Sequence, residues 1–207
     1  MTAGEIDGVR ARGARLPRHA RRAQLLESAL DVFAAQGYHA AAMDDIAAKA
    51  GVSKPVLYQH FPGKFELYLA LLETACDRVI ENTKAALRST HDNKLRVAGT
   101  MAAFYDYVAA DTGAFRLVFE SDLTSEPLVR AQVERVTTEC ASAITEVIAE
   151  DTGLPTEAAH LLAVGLVGMG QVSARYWLND PGSLTREDAT ALIAGLAWRG
   201  IGGYPLH

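Results

Sequence analysis

Apolar residues in this 207-residue chain recur at three- and four-residue spacing almost from end to end, and Pro and Gly gather at the breaks between the periodic runs. That pattern restricts the chain to helices packed on helices, because a half-buried strand needs apolar and polar residues to alternate and no stretch sustains the alternation. The spacing predicts helices over about 17–36, 43–50, 54–60, 64–88, 93–110, 113–121, 126–150, 155–179 and 184–199. Gly37, Gly51, Phe61-Pro62-Gly63, Asp111-Thr112-Gly113, Glu126-Pro127, Thr152-Gly153-Leu154-Pro155 and Asn179-Asp180-Pro181-Gly182 mark the interruptions. The expected fold class is therefore all-α, with about nine helices and no internal repeat. Residues 1–16, with few apolar side chains, read as a flexible basic arm, 17–63 as a three-helix unit and 64–207 as a larger helical body.

The stretch Met43 to Lys64, MDDIAAKAGVSKPVLYQHFPGK, says what the small unit is for. Ile46, Ala47 and Ala50 share one helical face, Gly51 supplies a turn at positive φ, and Val52 and Leu57 return to the same core. Two helices that cross closely need a small residue at the crossing, here Ala47, and the spacing is that of a helix-turn-helix. Ser53 is placed to cap the second of these helices, and Pro55 sits in its first turn, where a missing amide costs nothing. A helix so mounted projects its first turn into a DNA major groove.

The tail Leu57-Tyr58-Gln59-His60-Phe61-Pro62-Gly63-Lys64, with Phe33, Gly37-Tyr38 and Asp45-Ile46-Ala47 upstream, resembles the TetR family of one-component bacterial transcription regulators. Residues 50–61 (AGVSKPVLYQHF), 163–169 (AVGLVGM) and 174–178 (ARYWL) are similar to an actinobacterial branch concerned with fatty-acid synthesis. The resemblance implies phosphate contacts by Tyr58, His60 and Lys64, and base-edge contacts by Lys54, Pro55 and Val56. Lys54 has the donors for guanine O6 and N7, and Pro55 or Val56 can touch a thymine methyl. The family usually places Thr or Ser ahead of the helix that starts at Met43. This chain has Ala40-Ala41-Ala42, so a cap of about 1 kcal/mol is missing and Met43 or a backbone amide takes that place at the DNA.

Net charge misleads unless it is located. The chain totals −5, but residues 1–64 hold nine basic and six acidic side chains while the remainder is strongly acidic. The positive end carries the helix-turn-helix. Arg10, Arg12, Arg15, Arg18, Arg21 and Arg22 form either a solubilising tail or an arm along phosphates or a minor groove.

In the body, Leu161, Leu162, Val164, Leu166, Val167, Leu192, Ile193, Leu196 and Trp198 exceed the apolar surface that one face of a small bundle needs. The resemblance implies that the last two long helices form a four-helix interface with their mates in a homodimer, which would read a palindromic operator on double-stranded DNA. It also implies a pocket for a small lipophilic effector in this region; Met101, Phe104, Val108, Phe115, Val118, Phe119 and Trp177 are candidate lining, with core packing the default for any one of them, and Arg116, Arg130 and Arg175 are either surface residues or candidates for an anionic head group. Repression is the commoner outcome in the family. The fatty-acid branch implies the alternative, an activator of lipid or fatty-acid synthesis genes that senses long-chain acyl-CoA.

Two other functional classes make different demands on the sequence. An all-α enzyme needs a nucleophile with its base, a metal set or a phosphate loop, and no such spacing occurs, so neither catalysis nor a cofactor is expected. Cys76 and Cys140, far apart and outside any metal-ligand spacing, offer neither a disulfide framework nor a metal site. An interaction protein that uses the helix-turn-helix only for packing would retard no DNA. The longest apolar stretch, Leu161 to Gly170, is about half a membrane span, and the N-terminal segment lacks the apolar run of a secretory signal. A cytoplasmic protein with no membrane partner is the expectation.

Overall fold

The computed structural model describes residues 16–120, 123 and 125–200, so the expected arm lies outside the described residues apart from Leu16. Nine helices and no strand occur among them: α1 Arg18–Ala40, α2 Met43–Lys49, α3 Lys54–His60, α4 Lys64–Arg88, α5 Asn93–Ala110, α6 Thr112–Phe119, α7 Pro127–Thr152, α8 Thr156–Asn179 and α9 Arg186–Arg199. The all-α expectation holds, and the chain breaks where Gly and Pro gather. Gly37 lies outside helical geometry (φ 75°, ψ 164°), so α1 is interrupted there before the short turn Tyr38–Ala40. Gly51 takes φ 64° in the turn between α2 and α3, as the motif requires.

Three helices of the body, α5, α6 and α9, are capped by side chains, whereas α7 and α8 are not: Asp92 accepts from the Leu95 amide, Asp111 from Ala114 and Thr185 from Asp188. From α1 to α4 no helix carries a side-chain cap. Ser53 stands at the N-cap position of α3 in extended conformation, but its hydroxyl makes no capping bond, against expectation.

One apolar cluster runs from Leu25 and Phe33 of α1, through Leu57 of α3 and Leu67, Leu72 and Val79 of α4, to Val136 of α7 and Ala189 of α9. The amino-terminal helices and the body thus share a core. Ion pairs from Arg135 to Asp77 (2.6 Å) and from Lys84 to Glu139 (2.9 Å) fasten α7 along α4. The Tyr105 hydroxyl donates to Ser173 Oγ at 2.9 Å, joining α5 to α8.

The head also rests on the body through α6. A Cβ placed on Gly113 would lie 3.3 Å from Ala34 Cβ, tighter than most such contacts, and at an ordinary 3.5 Å from a Leu30 methyl of α1. Behind that seat, Phe115 and Phe119 of α6 stack at 5.0 Å and meet Phe104 of α5 at 6.3 and 5.9 Å.

Candidate functional site

Two sites emerge, one on the small unit and one inside the body. In the first, Ile46, Ala47 and Leu57 are buried and lock α2 against α3, leaving the outer side of α3 in solvent. Tyr58 is 47% exposed and points away from the core that its fully buried neighbour Leu57 enters. Pro55 and Ser53 are exposed, and Val56 and His60 are half-buried. Lys54 forms an exposed ion pair with Asp44 of α2 at 2.6 Å, and that carboxylate, mainly as a hydrogen-bond acceptor, raises the lysine's pKa.

His60 lies beside the start of α1. Partial burial, then the charges of Arg18, Arg22 and Arg21, lower its pKa below the ordinary value near 6.5. Arg22 sits over the Phe61 ring at 4.9 Å, and Arg21 donates to Gln24, whose amide in turn donates to the Ala50 carbonyl at 3.0 Å. These three arginines, read from the sequence as parts of an arm, belong to α1 and form a positive corner with His60. Arg10, Arg12 and Arg15 lie outside the described residues.

Two residues stand elsewhere than expected. Met43 is only 8% exposed, because its side chain packs into the core, and it cannot meet a phosphate; only its backbone amide opens α2. Lys64 is fully engaged: its ammonium donates to the carbonyls of Tyr38 (2.8 Å), His39 (3.2 Å) and Ala41 (2.9 Å) and lies over the Tyr38 ring. It ties the corner between α1 and α2 to the start of α4, with its three donors satisfied inside the protein.

The second site is a cavity of about 730 Å³ between α4, α5, α7, α8 and α9. Of the seven candidate lining residues, Met101 and Phe104 face it. Val108, Phe115, Val118, Phe119 and Trp177 do not. The first three are almost fully buried in the core, Phe119 stacks on Phe115, and Trp177 packs on Tyr105 and donates to the Leu184 carbonyl. Large rings had suggested a lipophilic pocket, but here they fill volume while aliphatic side chains make the wall. Val136, Cys140, Ile144, Val147 and Ile148 of α7 supply much of it, and their three- and four-residue spacing was visible in the sequence. Cys140 donates weakly to Thr83 Oγ1, and burial raises both thiols, Cys76 to about 12, so neither is a thiolate near neutral pH.

Arg116, Arg130 and Arg175 do not line the cavity; Arg116 pairs with Glu120. The cationic residue that does is Arg96, which donates to the carbonyls of Leu87 and Thr90, to Asn93 and to Asp151 at 2.9 Å. A second, shallower groove shares Leu87, Arg96 and Val147 with the cavity and mixes Lys84, Arg88 and His91 with Glu139, Glu146 and Glu150. Among the described residues no cluster of His, Cys, Asp and Glu could hold a metal ion, and no helix is long and apolar enough to cross a membrane.

Comparison with known proteins agrees with this geometry. The profile of bacterial regulatory proteins of the tetR family matches residues 25–71, which span most of α1, all of α2 and α3, and the start of α4. The HTH-type transcriptional activator FasR of Mycolicibacterium smegmatis is 46% identical over 199 residues, covering 96% of this chain and 91% of that protein. A TetR-like transcriptional regulator from Rhodococcus sp. RHA1 superposes with TM-score 0.70 at 28% identity, over 92% of this chain and all of the other. The transcriptional regulator FadR of Bacillus subtilis, solved with stearoyl-CoA, shares the fold (TM-score 0.72, 18% identity, 86% of this chain and 98% of that one). These relatives are regulators rather than enzymes. An exposed α3 mounted on a buried crossing, a hollow helical body and identity along nearly the whole length lead to one conclusion: the chain is a transcription regulator belonging to the TetR family.

Proposed function

We propose that the protein acts in the cytoplasm as a homodimeric regulator whose grip on a palindromic operator is set by a lipophilic effector in the α4–α9 cavity, with long-chain acyl-CoA as the effector class. The functional division falls at Phe61-Pro62-Gly63: residues 17–63 hold DNA and the body from residue 64 onward holds the effector and the second copy. The observation that carries this reading is the cavity itself, whose volume lies within the range of about 300–1,000 Å³ usual for ligand sites and whose wall is predominantly apolar. The acyl-CoA seen in the B. subtilis neighbour supports the effector class.

We read the sign of regulation as activation, in place of the repression that family habit suggests, because the 46%-identical relative is named an activator. The genes would be those of fatty-acid synthesis. At α3, Lys54, Pro55 and Val56 face base edges, and Tyr58 and His60 face phosphates. The effector acts by binding one spacing of the two α3 helices better than the other, since equal affinity for both would shift nothing.

Affinity selection of genomic fragments by the full chain, repeated across a series of acyl-CoA esters, tests this. A palindrome should be enriched, and its retention should change with the ester. Failure to retain any DNA at low salt overturns the operator reading; retention indifferent to every ester overturns the effector reading.

A further inference from the structure

The cavity is lined along α5 by Asn93, Arg96, Val97, Thr100, Met101 and Phe104. With a rise of 1.5 Å per residue this wall is about 16 Å long. It is graded. Asn93 and Arg96 stand at one end with Asp151 and Thr152 from the last turn of α7; Met101 and Phe104 close the other beside Gly170. Thr100 lies between them, one turn in from Arg96.

Thr100 differs from five other hydroxyl side chains in these helices. Thr74, Thr83, Thr145, Thr152 and Ser173 each donate to the carbonyl four residues earlier. Thr100 Oγ1 is buried and has no hydrogen-bond partner, a condition shared among the described residues only by the Tyr107 hydroxyl, which is away from the cavity. A buried hydroxyl without a partner is costly. Thr100 lines the cavity, and threonine in a helix divides between two χ1 rotamers, so this donor has a second direction open to it by rotation about one bond.

The charges in the cavity narrow what that donor can meet. Arg96 and Asp151 are the two charged residues of the lining, and they are bonded to each other at 2.9 Å. A carboxylate entering the cavity finds its cation already matched, and desolvating it there is unfavourable. A neutral carbonyl carries no such cost and accepts one hydrogen bond.

We propose that Thr100 donates to the effector's acyl carbonyl, so that the cavity selects a neutral long-chain ester or thioester over a free fatty acid. This rests on the cavity being the effector site, and it makes Thr100 a specificity-determining residue of that site.

Titration of the full chain and its Thr100→Val and Thr100→Ser variants with palmitoyl-CoA, and with the hexadecyl thioether analogue that has CH₂ in place of the carbonyl, tests it. Thr100→Val should lose about two- to tenfold in affinity for palmitoyl-CoA, the worth of one hydrogen bond, and none for the thioether. Thr100→Ser should keep the preference. The unliganded Thr100→Val protein should melt no lower than the parent, which separates lost recognition from lost folding. Equal changes for ester and thioether, or no change for either, overturn the role of Thr100 while leaving the effector site intact. Methyl palmitate should bind the parent more tightly than palmitate; the reverse order overturns the selection for a neutral carbonyl. If the parent binds none of these molecules, the effector reading falls and takes the inference with it.

Discussion

A positive side chain can meet a phosphate only with donors it is not already using, and this distinguishes the basic residues of the small unit. Lys54 is held by a single exposed carboxylate that water and salt screen, so exchange of Asp44 for a base edge is easy. Tyr58 stands in solvent. Tyr58→Ala should weaken binding to every DNA sequence and lower the salt slope, whereas Lys54→Ala should chiefly relax preference at one or two base pairs. Salt-dependent affinities and the selected sequence logo of each variant check this; an unchanged slope or logo counts against the corresponding role. His60 adds a pH signature. Its lowered pKa leaves it neutral in the free protein at pH 7, and a phosphate alongside would raise that pKa, so binding takes up a proton. Affinity should therefore rise as pH falls through the pKa of the complex, and His60→Gln should flatten the profile. For the DNA-free chain the sign is opposite. A depressed folded pKa means that the contribution to stability is present above the unfolded value and lost as pH falls through the folded one.

At the scale of elements, helix boundaries were legible because Pro and Gly punctuate a helical period, and α4, predicted over 64–88, is observed as Lys64–Arg88. What sequence spacing could not show is which face of an element meets a cavity and which meets core. That depends on the crossing of five helices: the spacing of Phe115 and Val118 suits a lining as well as the packing they in fact provide, and nothing in the spacing marks Arg96 and Thr100 as lining. Lys64 presents the same difficulty between α1 and α4. Its motif position is shared with a phosphate-binding residue, yet its acceptors are carbonyls more than 20 residues upstream. Those carbonyls end α1 next to a helix start that lacks a hydroxyl cap, so Lys64 supports the corner from outside. Lys64→Met, which keeps the stem over Tyr38 and removes the charge, should cost about 1–2 kcal/mol in chemical denaturation, allowing for its partial exposure. A change within error would show that the corner holds without it.

Across the whole molecule, the exposed face of α8 is the least compatible with water. Leu161 (74% exposed), Val172 (58%) and Tyr176 (70%) lie on it, and no Asp, Glu, Lys or Arg occurs from residue 158 to 174. Under the homodimer reading, Val172→Asp, placed on this face but outside the cavity lining, should raise the dimer dissociation constant about tenfold or more by burying an unpaired charge. Sedimentation velocity over a dilution series measures it, and a concentration-independent dimer in the variant would move the interface elsewhere. The small unit and the body that this dimer would couple meet through α4 and through α6, and at Gly113 the backbone of α6 comes close to Leu30 and Ala34 of α1, where a side chain would fit only tightly. A joint with clearance absorbs small movements, but one nearly closed must hand them on. On that ground a movement of α6 toward α1 should be passed on rather than absorbed, and Gly113→Ala, which fills what clearance remains, should alter the response of DNA binding to the effector more than it alters DNA binding alone.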